Sequence, residues 1–284
     1  MDEVIKVILL GIVEGITEFL PISSTGHLIV AAEFVQLQDS LTGIFEIFIQ
    51  IGAVIAVLFY YRSDIMYQVQ AAFTKHKSTE EVRQFWLAIV VAFIPAAILG
   101  FLLGDMIEEL LFNPTVVALA LIVGGVAFIV IERYQITQHQ DMTMDADTPE
   151  SDDEQTPNVS LKQALIIGFA QTLALVPGTS RSGMSIIGGM LAGLDRQVAT
   201  QFSFYLAIPT LGGATVYTLV RNLDRINGSD MLMLVLGAIV SGIVAWVSIA
   251  WLLRYISKNT FIPFGYYRII LGIIILSFVA AGIL

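Results

Sequence analysis

Long apolar stretches, separated by short polar segments, make up most of this 284-residue chain. A helix that crosses the hydrocarbon core of a bilayer needs about 17–25 residues. Six stretches have this length, at about 45–61, 86–103, 115–132, 201–220, 231–253 and 264–284. The pattern predicts an all-α integral membrane protein, a polytopic helix bundle with six spanning helices.

Two further apolar regions, at about 4–36 and 161–195, are each interrupted midway by a proline and a cluster of small polar residues. The interruptions are LPISSTGH and VPGTSRSG. Proline ends a helix and biases the preceding residue away from helical angles. Non-helical backbone survives at membrane depth only where it is buried in protein or lines water. We therefore expect two re-entrant helical hairpins, each formed by two half-helices that meet at a polar tip.

The two halves of the chain resemble each other. SSTG from Ser23 corresponds to SRSG from Ser180, and FEIFIQIGA from Phe45 corresponds to FSFYLAIPT from Phe202, both at an offset of 157 (180 − 23 and 202 − 45). Each half would hold one hairpin and three spans, so the second half would be inverted in the membrane, as in many transporters. The predicted organisation is a first inverted repeat over 1–134, an acidic flexible loop over 135–159 and a second inverted repeat over 160–284.

Composition narrows the class of protein. Hydrophobic residues make up 56% of the chain and charged residues 13%, about half the charged share of a soluble domain. Much of the acidic excess lies in the 135–159 loop, and a basic surface for nucleic acid is absent. The chain has no cysteine, which excludes disulfide and thiolate chemistry. The acidic N-terminal stretch is unlike a signal peptide, so we expect it to belong to the mature protein.

Basic residues orient the predicted spans, because cytoplasmic loops are enriched in Lys and Arg. The loops at 62–84 and 254–262 carry such residues, whereas the loop at 104–113 has none. The first two are therefore predicted to be cytoplasmic, and both termini and the mouth of the first hairpin to face outside. Arg221 and Arg225 fall on the predicted outside and argue against this orientation.

Glu14 and Glu18 lie on one face of the first half-helix, because they are four residues apart. A charged side chain at the centre of a bilayer costs about 2.5–3.5 kcal/mol on insertion scales, and such residues usually have a function. Hard divalent cations prefer carboxylate oxygens, so the pair is a candidate metal site. The alternative is a structural role, in which the carboxylates cap a helix or form an ion pair inside the bundle.

The first tip carries Ser23, Ser24, Thr25, Gly26 and His27. Its hydroxyl groups are suited to capping the next helix, and a helix N-terminus also binds anions. Ser24 and His27 can share a face, and a serine needs a nearby base to become a nucleophile. We expect Ser24 to be the nucleophile and His27 the general acid–base; His27 itself or a metal-bound water are the alternative nucleophiles.

The second tip carries Arg181. A guanidinium at membrane depth needs an anionic partner, which is either a carboxylate of the first hairpin or a phosphate held by two hydrogen bonds. Gly178 allows close approach of the backbone to a ligand, and Ser180 and Ser182 add hydrogen-bond donors. Acids and a nucleophile at one tip, with a cation at the other, favour metal-assisted phosphoryl transfer.

Other polar and aromatic residues in the predicted spans have simpler interpretations. Glu46, Gln50 and Arg268, each taken alone, are more simply polar interior contacts or interfacial side chains. Aromatic residues such as Trp86 and Trp246 are better explained as interface anchors than as a ligand cage. None of these residues is included in the predicted site.

EGITEFLPISSTGH, together with PGTSRSG, resembles the bacterial undecaprenyl-diphosphate phosphatase family of the integral-membrane, bacitracin-resistance type, and the likeness covers nearly the whole chain. The resemblance implies hydrolysis of undecaprenyl diphosphate to undecaprenyl phosphate and inorganic phosphate, which recycles the lipid carrier for peptidoglycan synthesis. It also implies a multi-pass protein of the bacterial plasma membrane, a site open to the outer face, and dependence on Mg²⁺ or Ca²⁺. The family's functional positions, carried onto this chain, are Glu14, Glu18, Ser23, Ser24, Thr25, His27, Ser180 and Arg181.

Two other classes of function fit the predicted architecture. A secondary transporter or lipid flippase would have the same inverted repeat, and a non-catalytic protein could bind bacitracin or lipid. Release of phosphate from a polyprenyl diphosphate by the purified protein separates an enzyme from both. In the enzyme, the polyprenyl tail is expected to lie along an apolar groove between helices, and a homo-oligomer is one possible assembly.

Overall fold

The computed structural model describes residues 2–35, 44–72, 77–142, 157–222 and 228–284, and every regular element in these ranges is a helix. In chain order the α-helices are α1 Glu3–Thr17, α2 Ser24–Val35, α3 Ile44–Tyr60, α4 Arg62–Ala72, α5 Lys77–Leu111, α6 Pro114–Met142, α7 Leu161–Thr172, α8 Arg181–Leu191, α9 Arg196–Asn222, α10 Gly228–Ile256 and α11 Ile262–Ala280. A short 3₁₀ turn, Leu173–Leu175, extends α7.

Five helices of the described ranges are long and apolar enough to cross a membrane, and they lie in α5, α6, α9, α10 and α11. A sixth span results if α3 and α4, which meet at a bend of 66°, are counted together. The six predicted spans fall on these helices. The prediction of an all-α, polytopic membrane fold is confirmed.

Helix α6 continues to Met142, so the predicted loop over 135–159 begins too early. Residues 135–142 contain neither glycine nor proline, the residues that most often end a helix. A change from apolar to polar residues does not by itself end a helix. The prediction was therefore wrong at its N-terminal boundary. Residues 143–156 of the predicted loop lie outside the described residues.

Both interrupted apolar regions consist of two short helices with an irregular tip between them. The first tip separates the end of α1 from Ser24, and the second separates Leu175 from Arg181. The two helices of each pair contact each other. The first helix of each pair packs closely on the other half of the chain: a Cβ added to Gly11 of α1 would lie 2.9 Å from the Gly237 carbonyl oxygen of α10.

Corresponding helices of the two halves pack antiparallel. In the α6–α11 pair, Gly125 faces Gly265, and Ala118, earlier in α6, faces Gly272, later in α11. The α3–α9 pair runs antiparallel in the same way. An inverted repeat requires this arrangement, but the repeat itself and the re-entrant nature of the tips stay predictions.

Single cysteines placed in this cysteine-free chain test the predicted membrane topology. With Glu81→Cys, Glu108→Cys and Lys258→Cys, we expect an impermeant thiol reagent to label residue 108 from outside intact cells. Residues 81 and 258 should react only after the cells are opened, because the loops near them carry the basic residues. Labelling of residues 81 and 108 from the same side would show that α5 does not cross the membrane.

Candidate active site

The two tips have the same unusual backbone. Ser23 and Ser180 have φ angles of 71° and 74°, and no other non-glycine residue in the described ranges has a positive φ. Each serine Oγ accepts a hydrogen bond from the glycine three residues later, from Gly26 N at 3.3 Å and from Gly183 N at 3.1 Å. Backbone strain of this kind costs about 1–3 kcal/mol and is concentrated at functional sites. The corresponding tips thus share one strained turn that starts α2 and α8.

Glu18 joins the two tips. Its Oε2 accepts a hydrogen bond from Ser24 Oγ at 2.7 Å, and its Oε1 accepts one from Arg181 Nη2 at 3.0 Å. The Glu18 side chain is buried, and these contacts offset the free-energy cost of removing its carboxylate from water. A second contact, from Ser182 Oγ to the Leu20 carbonyl at 3.2 Å, also joins the tips. The predicted carboxylate, hydroxyl and guanidinium therefore meet at one point.

Helix α9 holds the other end of the Arg181 guanidinium. Arg181 Nη1 donates to the Ser203 carbonyl at 2.8 Å, and the hydroxyl groups of Ser203 and Ser185 lie 2.7 Å apart. The planar guanidinium is fixed in orientation because both of its terminal nitrogens have partners. Sequence reasoning did not identify Ser203 or Ser185, because serines on apolar helices are common and only the packing of α8 on α9 brings these two together.

Arg268 of α11 also binds both tips, although it does not line the cavity described below. It is fully buried, and it donates to the Pro21 carbonyl at 3.2 Å and to the Gly178 and Thr179 carbonyls at 3.1 and 2.9 Å. Gly124 of α6 provides space, because a Cβ there would lie 2.9 Å from the Arg268 Cζ atom. Arg268 does make polar contacts in the interior, as one of the two interpretations held, but the sequence did not show that these contacts join the two tips. An arginine in the middle of an apolar helix was the available signal.

A cavity of about 510 Å³ lies where the tips meet. Predicted site residues form its polar end: Glu18, Ser23, Ser24, Thr25, Gly178, Ser180 and Arg181. Gln50 and Gln171, which were not predicted, also line it, while Glu14, Gly26, His27 and Ser182 do not. The rest of the wall is largely apolar and comes from α5, the 3₁₀ turn and α9. The cavity therefore suits an amphiphile with an anionic head group.

His27 has two partners, and Ser24 is neither of them. Its Nδ1 lies 2.7 Å from the Ser23 carbonyl oxygen, and its Nε2 lies 2.7 Å from the Tyr267 hydroxyl. A carbonyl oxygen only accepts, so Nδ1 carries the proton and Nε2 accepts from Tyr267. The imidazole is also stacked on the Tyr267 ring, with centroids 5.6 Å apart. The role of His27 as general acid–base stays a prediction.

Glu14 is fully buried, and neither of its carboxylate oxygens has a hydrogen-bond partner among the described residues. Gln171, at the corresponding position of the second half (171 − 14 = 157), is buried with both polar atoms of its side chain unpaired. A buried carboxylate without a partner is costly unless it binds a cation or a proton. The register of the repeat was the signal that could have identified Gln171.

The carboxylates fit a divalent cation in part. The unpaired oxygens of Glu14 are the donors that Mg²⁺ or Ca²⁺ prefers, and Glu18, the next acid along the chain, is the C-cap of α1. No group of three or more His, Cys, Asp or Glu side chains in the described ranges is placed to hold a metal ion. Mg²⁺ is commonly bound by one or two carboxylates together with phosphate oxygens and water. Of the two carboxylates only Glu18 lines the cavity, so Glu18 is the one placed for a cation that binds together with a phosphorylated substrate.

Comparison with known proteins identifies relatives along almost the whole chain. The family model described as bacitracin resistance protein BacA matches residues 7–274. A protein named undecaprenyl-diphosphatase from Polaromonas naphthalenivorans (strain CJ2) is 44% identical over 279 residues, covering 98% of this chain and 96% of the relative. Another from Herminiimonas arsenicoxydans is 46% identical over 278 residues, covering 97% and 96%. Undecaprenyl-diphosphatase 3 from Acinetobacter baylyi (strain ATCC 33305 / BD413 / ADP1) is 44% identical, covering 96% and 97%.

Arg268→Lys should loosen both tips. Lysine keeps the charge but lacks the planar group that reaches carbonyls of both tips, and a hydrogen bond to a charged group contributes about 1.5–3 kcal/mol. We expect hydrogen exchange of the amides at 20–26 and 177–183 to accelerate about 10-fold or more, since 1.4 kcal/mol corresponds to a factor of ten.

Arg254→Lys is the matched control, because Arg254 is exposed on α10. It should leave exchange at both tips unchanged. Equal exchange rates in the two variants would show that Arg268 does not hold the tips.

Proposed function

The chain belongs to the bacitracin resistance protein BacA family, and we infer from this membership that it is an undecaprenyl-diphosphatase. It hydrolyses undecaprenyl diphosphate to undecaprenyl phosphate and inorganic phosphate. Through this reaction it serves cell-wall synthesis and bacitracin resistance. None of the relatives' names supports the alternative of a secondary transporter or lipid flippase.

The contact of Glu18 with both Ser24 and Arg181 is the observation that carries the proposed mechanism. Ser24 Oγ attacks the terminal phosphorus of the diphosphate, and Glu18 accepts the serine proton, because the two side chains are already hydrogen-bonded. The bond from this phosphorus to the bridging oxygen breaks, and undecaprenyl phosphate leaves with the electron pair. Glu18 releases the serine proton to the departing undecaprenyl phosphate and becomes a base again. Water then attacks the phosphoserine and gives one proton to Glu18. The bond from phosphorus to Ser24 Oγ breaks, with the electron pair on the serine oxygen, and Glu18 returns its proton to Ser24 as inorganic phosphate leaves.

Glu18 replaces His27 as the proposed base because of geometry. Ser24 Oγ lies 2.7 Å from a carboxylate oxygen of Glu18. The lone pair of His27 Nε2 already accepts a hydrogen bond from the Tyr267 hydroxyl, and His27 would have to give up this bond to act as a base. The arrangement supports a positioning role for His27, since its Nδ1–H binds the carbonyl of strained Ser23. His27 as the general acid–base is retained as the alternative assignment.

Arg181 and the two tips stabilise the charge on the transferred phosphoryl group. Arg181 lines the cavity beside Ser24, and one nitrogen of its guanidinium already binds the Glu18 carboxylate. A guanidinium binds phosphate oxygens through the same planar arrangement of N–H donors. Helices α2 and α8 both begin at the tips, so their positive N-terminal ends lie at the polar end of the cavity. Substrate-binding roles are proposed for the predicted residues that line the cavity, Ser23, Thr25, Gly178 and Ser180. Gly26 and Ser182 were also predicted to bind substrate, but they do not line the cavity. Their contacts with Ser23 and Leu20 support a role in shaping the tips instead.

Glu14 and Glu18 would hold the divalent cation, Mg²⁺ or Ca²⁺. When bound, such an ion supplies positive charge that offsets the two carboxylates and the diphosphate oxygens. The buried, unpaired oxygens of Glu14 support this assignment. Glu18 would bind the ion in addition to its contacts with Ser24 and Arg181.

The chain is a multi-pass membrane protein. We place it in the bacterial plasma membrane with its cavity open to the outer side. The cavity lies toward the C-terminal ends of α5 and α9, where Phe112 and Thr218 line it. The segment 104–113 at this end of α5 has no Lys or Arg, which supports the outer side, whereas Arg221 at the end of α9 argues against it. A homo-oligomer is compatible with this placement.

Glu18→Gln tests the proposed reaction. Glutamine keeps the shape of the side chain but is a poor proton acceptor, and loss of general-base catalysis typically costs about 10²–10⁴-fold in rate. We expect kcat for phosphate release from undecaprenyl diphosphate to fall by that factor in purified protein. Glu33→Gln, on the exposed face of α2, is the control and should retain the original kcat. A kcat of Glu18→Gln close to that of the control would rule out Glu18 as the base.

Metal dependence is tested by chelation and by Glu14→Gln. Excess EDTA should abolish phosphate release, and added Mg²⁺ or Ca²⁺ should restore it. Glu14→Gln should raise the cation concentration that gives half-maximal activity, because a carboxylate ligand is lost. Full activity in excess EDTA would contradict the metal assignment while leaving the diphosphatase assignment intact.

A further inference from the structure

The apolar part of the cavity runs along two helices, α5 and α9. Phe93 and Phe101 line it on α5, and Gly213 and Tyr217 line it on α9. From Phe93 to Phe101 the helix rises about 12 Å at about 1.5 Å per residue. This apolar stretch is continuous with the polar end at Ser24, because both belong to one cavity.

The α5–α9 pair is open where its counterpart is closed. The corresponding pair in the repeat is α10 with α3, and there a Cβ on Gly52 would collide with the Ala238 carbonyl oxygen. Helices α5 and α9 contact each other far less extensively. A Cβ on Gly213 would meet nothing closer than the tip of the Phe93 ring, at 3.9 Å.

The sequence explains this difference. Pro209 of α9 occupies the position that corresponds to Gly52 (209 − 52 = 157), and α5 carries Pro95 inside its helix. A glycine allows two helix backbones to touch, whereas a proline inside a helix removes a hydrogen bond and bends it. The position that lets α3 and α10 touch is therefore occupied in α9 by a residue that does not favour the same close approach to α5.

Helices α5 and α9 are joined firmly at one end and weakly at the other. Near the start of α9 the Phe85 ring packs on Phe202 and Tyr205, with centroids 6.1 and 5.0 Å apart. Toward the C-terminal ends, the Phe101 and Tyr217 rings meet edge to face at 6.5 Å, and they are 76% and 48% exposed. The exposed ion pair of Arg221 with Asp105, at 3.7 Å, lies about one turn further, and such surface pairs contribute only about 0–1 kcal/mol.

We propose that the gap between α5 and α9, bordered by Phe101 and Tyr217, is the lateral entrance through which the polyprenyl tail of the substrate passes from the bilayer. This proposal rests on the proposed diphosphatase function. A cavity of about 510 Å³ is the size of a site for a drug-sized molecule and cannot enclose a tail of eleven isoprene units. Most of the tail must therefore stay in lipid while the diphosphate reaches Ser24. An opening at membrane depth, with apolar walls continuous with the polar end, satisfies both conditions.

The exposed apolar groove between α3 and α10 provides a matched comparison. Ile55 and Ile239 line this groove and are 56% and 55% exposed. Its lining shares no residue with the catalytic cavity, and the contact at Gly52 closes the α3–α10 interface behind it. A tail in this groove would not lead to Ser24.

Reversible bridging of the gap tests the entrance in a chain that has no native cysteine. The pair Phe101→Cys and Tyr217→Cys is linked with a short bifunctional thiosulfonate, and the control pair is Ile55→Cys with Ile239→Cys. Bridging residues 101 and 217 should lower hydrolysis of undecaprenyl diphosphate at least about 10-fold, and a reducing agent should restore it, because the tail can no longer pass between the helices. Bridging the control pair should leave the rate unchanged. A bridged 101–217 protein that keeps the rate of its reduced form overturns the proposal.

A second measurement does not depend on turnover. A polyprenyl diphosphate with a photoreactive group on an isoprene unit near the head group should label peptides of α5 and α9, and not peptides of α3 and α10. Labelling confined to α3 and α10 would overturn the entrance. Absence of phosphate release from the unmodified protein would instead refute the diphosphatase function, and the photolabelling would still decide where the tail lies.

Discussion

One buried guanidinium, that of Arg268, holds together the two irregular tips on which the site depends. Backbone carbonyls outside a helix cannot be left unpaired at membrane depth, and Arg268 satisfies carbonyls at Pro21, Gly178 and Thr179. Its own charge is expensive there, and these contacts to backbone dipoles, together with the space left by Gly124, offset that cost. With the tips joined, Glu18 of one reaches Arg181 of the other.

The proposed chemistry depends on differences at corresponding positions of the two predicted repeats. Ser24 and Arg181 correspond in the repeat (181 − 24 = 157), yet one is the proposed nucleophile and the other the cation, and both bind the same carboxylate. Likewise the buried acid Glu14 corresponds to Gln171. The identical strained turns at Ser23 and Ser180 preserve the geometry, so the side chains that follow them are free to differ. A shared backbone with divergent side chains places unlike groups in one cavity.

The sequence predicted the spans, the two interrupted regions and most of the residues at the polar end, because hydrophobic length and proline position are local signals. It did not predict which side chains touch. Ser24 and His27 are close in sequence, but the hydroxyl bonds Glu18 while the imidazole bonds Tyr267, and the latter contact joins residues 240 positions apart. The bridging position of Arg268 was missed for the same reason, since its partners belong to both tips. The C-terminal end of α6 was predicted too early in the chain, because polarity alone does not end a helix.

In the proposed mechanism Ser24 attacks the terminal phosphorus with Glu18 as its base. Rapid quenching of the reaction with substrate labelled in the terminal phosphate, followed by mass spectrometry of the peptides, tests it most directly. We expect a phosphoserine at Ser24 that survives acid and is lost in alkali. In Ser24→Ala, both this adduct and turnover should be lost. An acid-labile, alkali-stable adduct on His27, or near-normal turnover by Ser24→Ala, would contradict it.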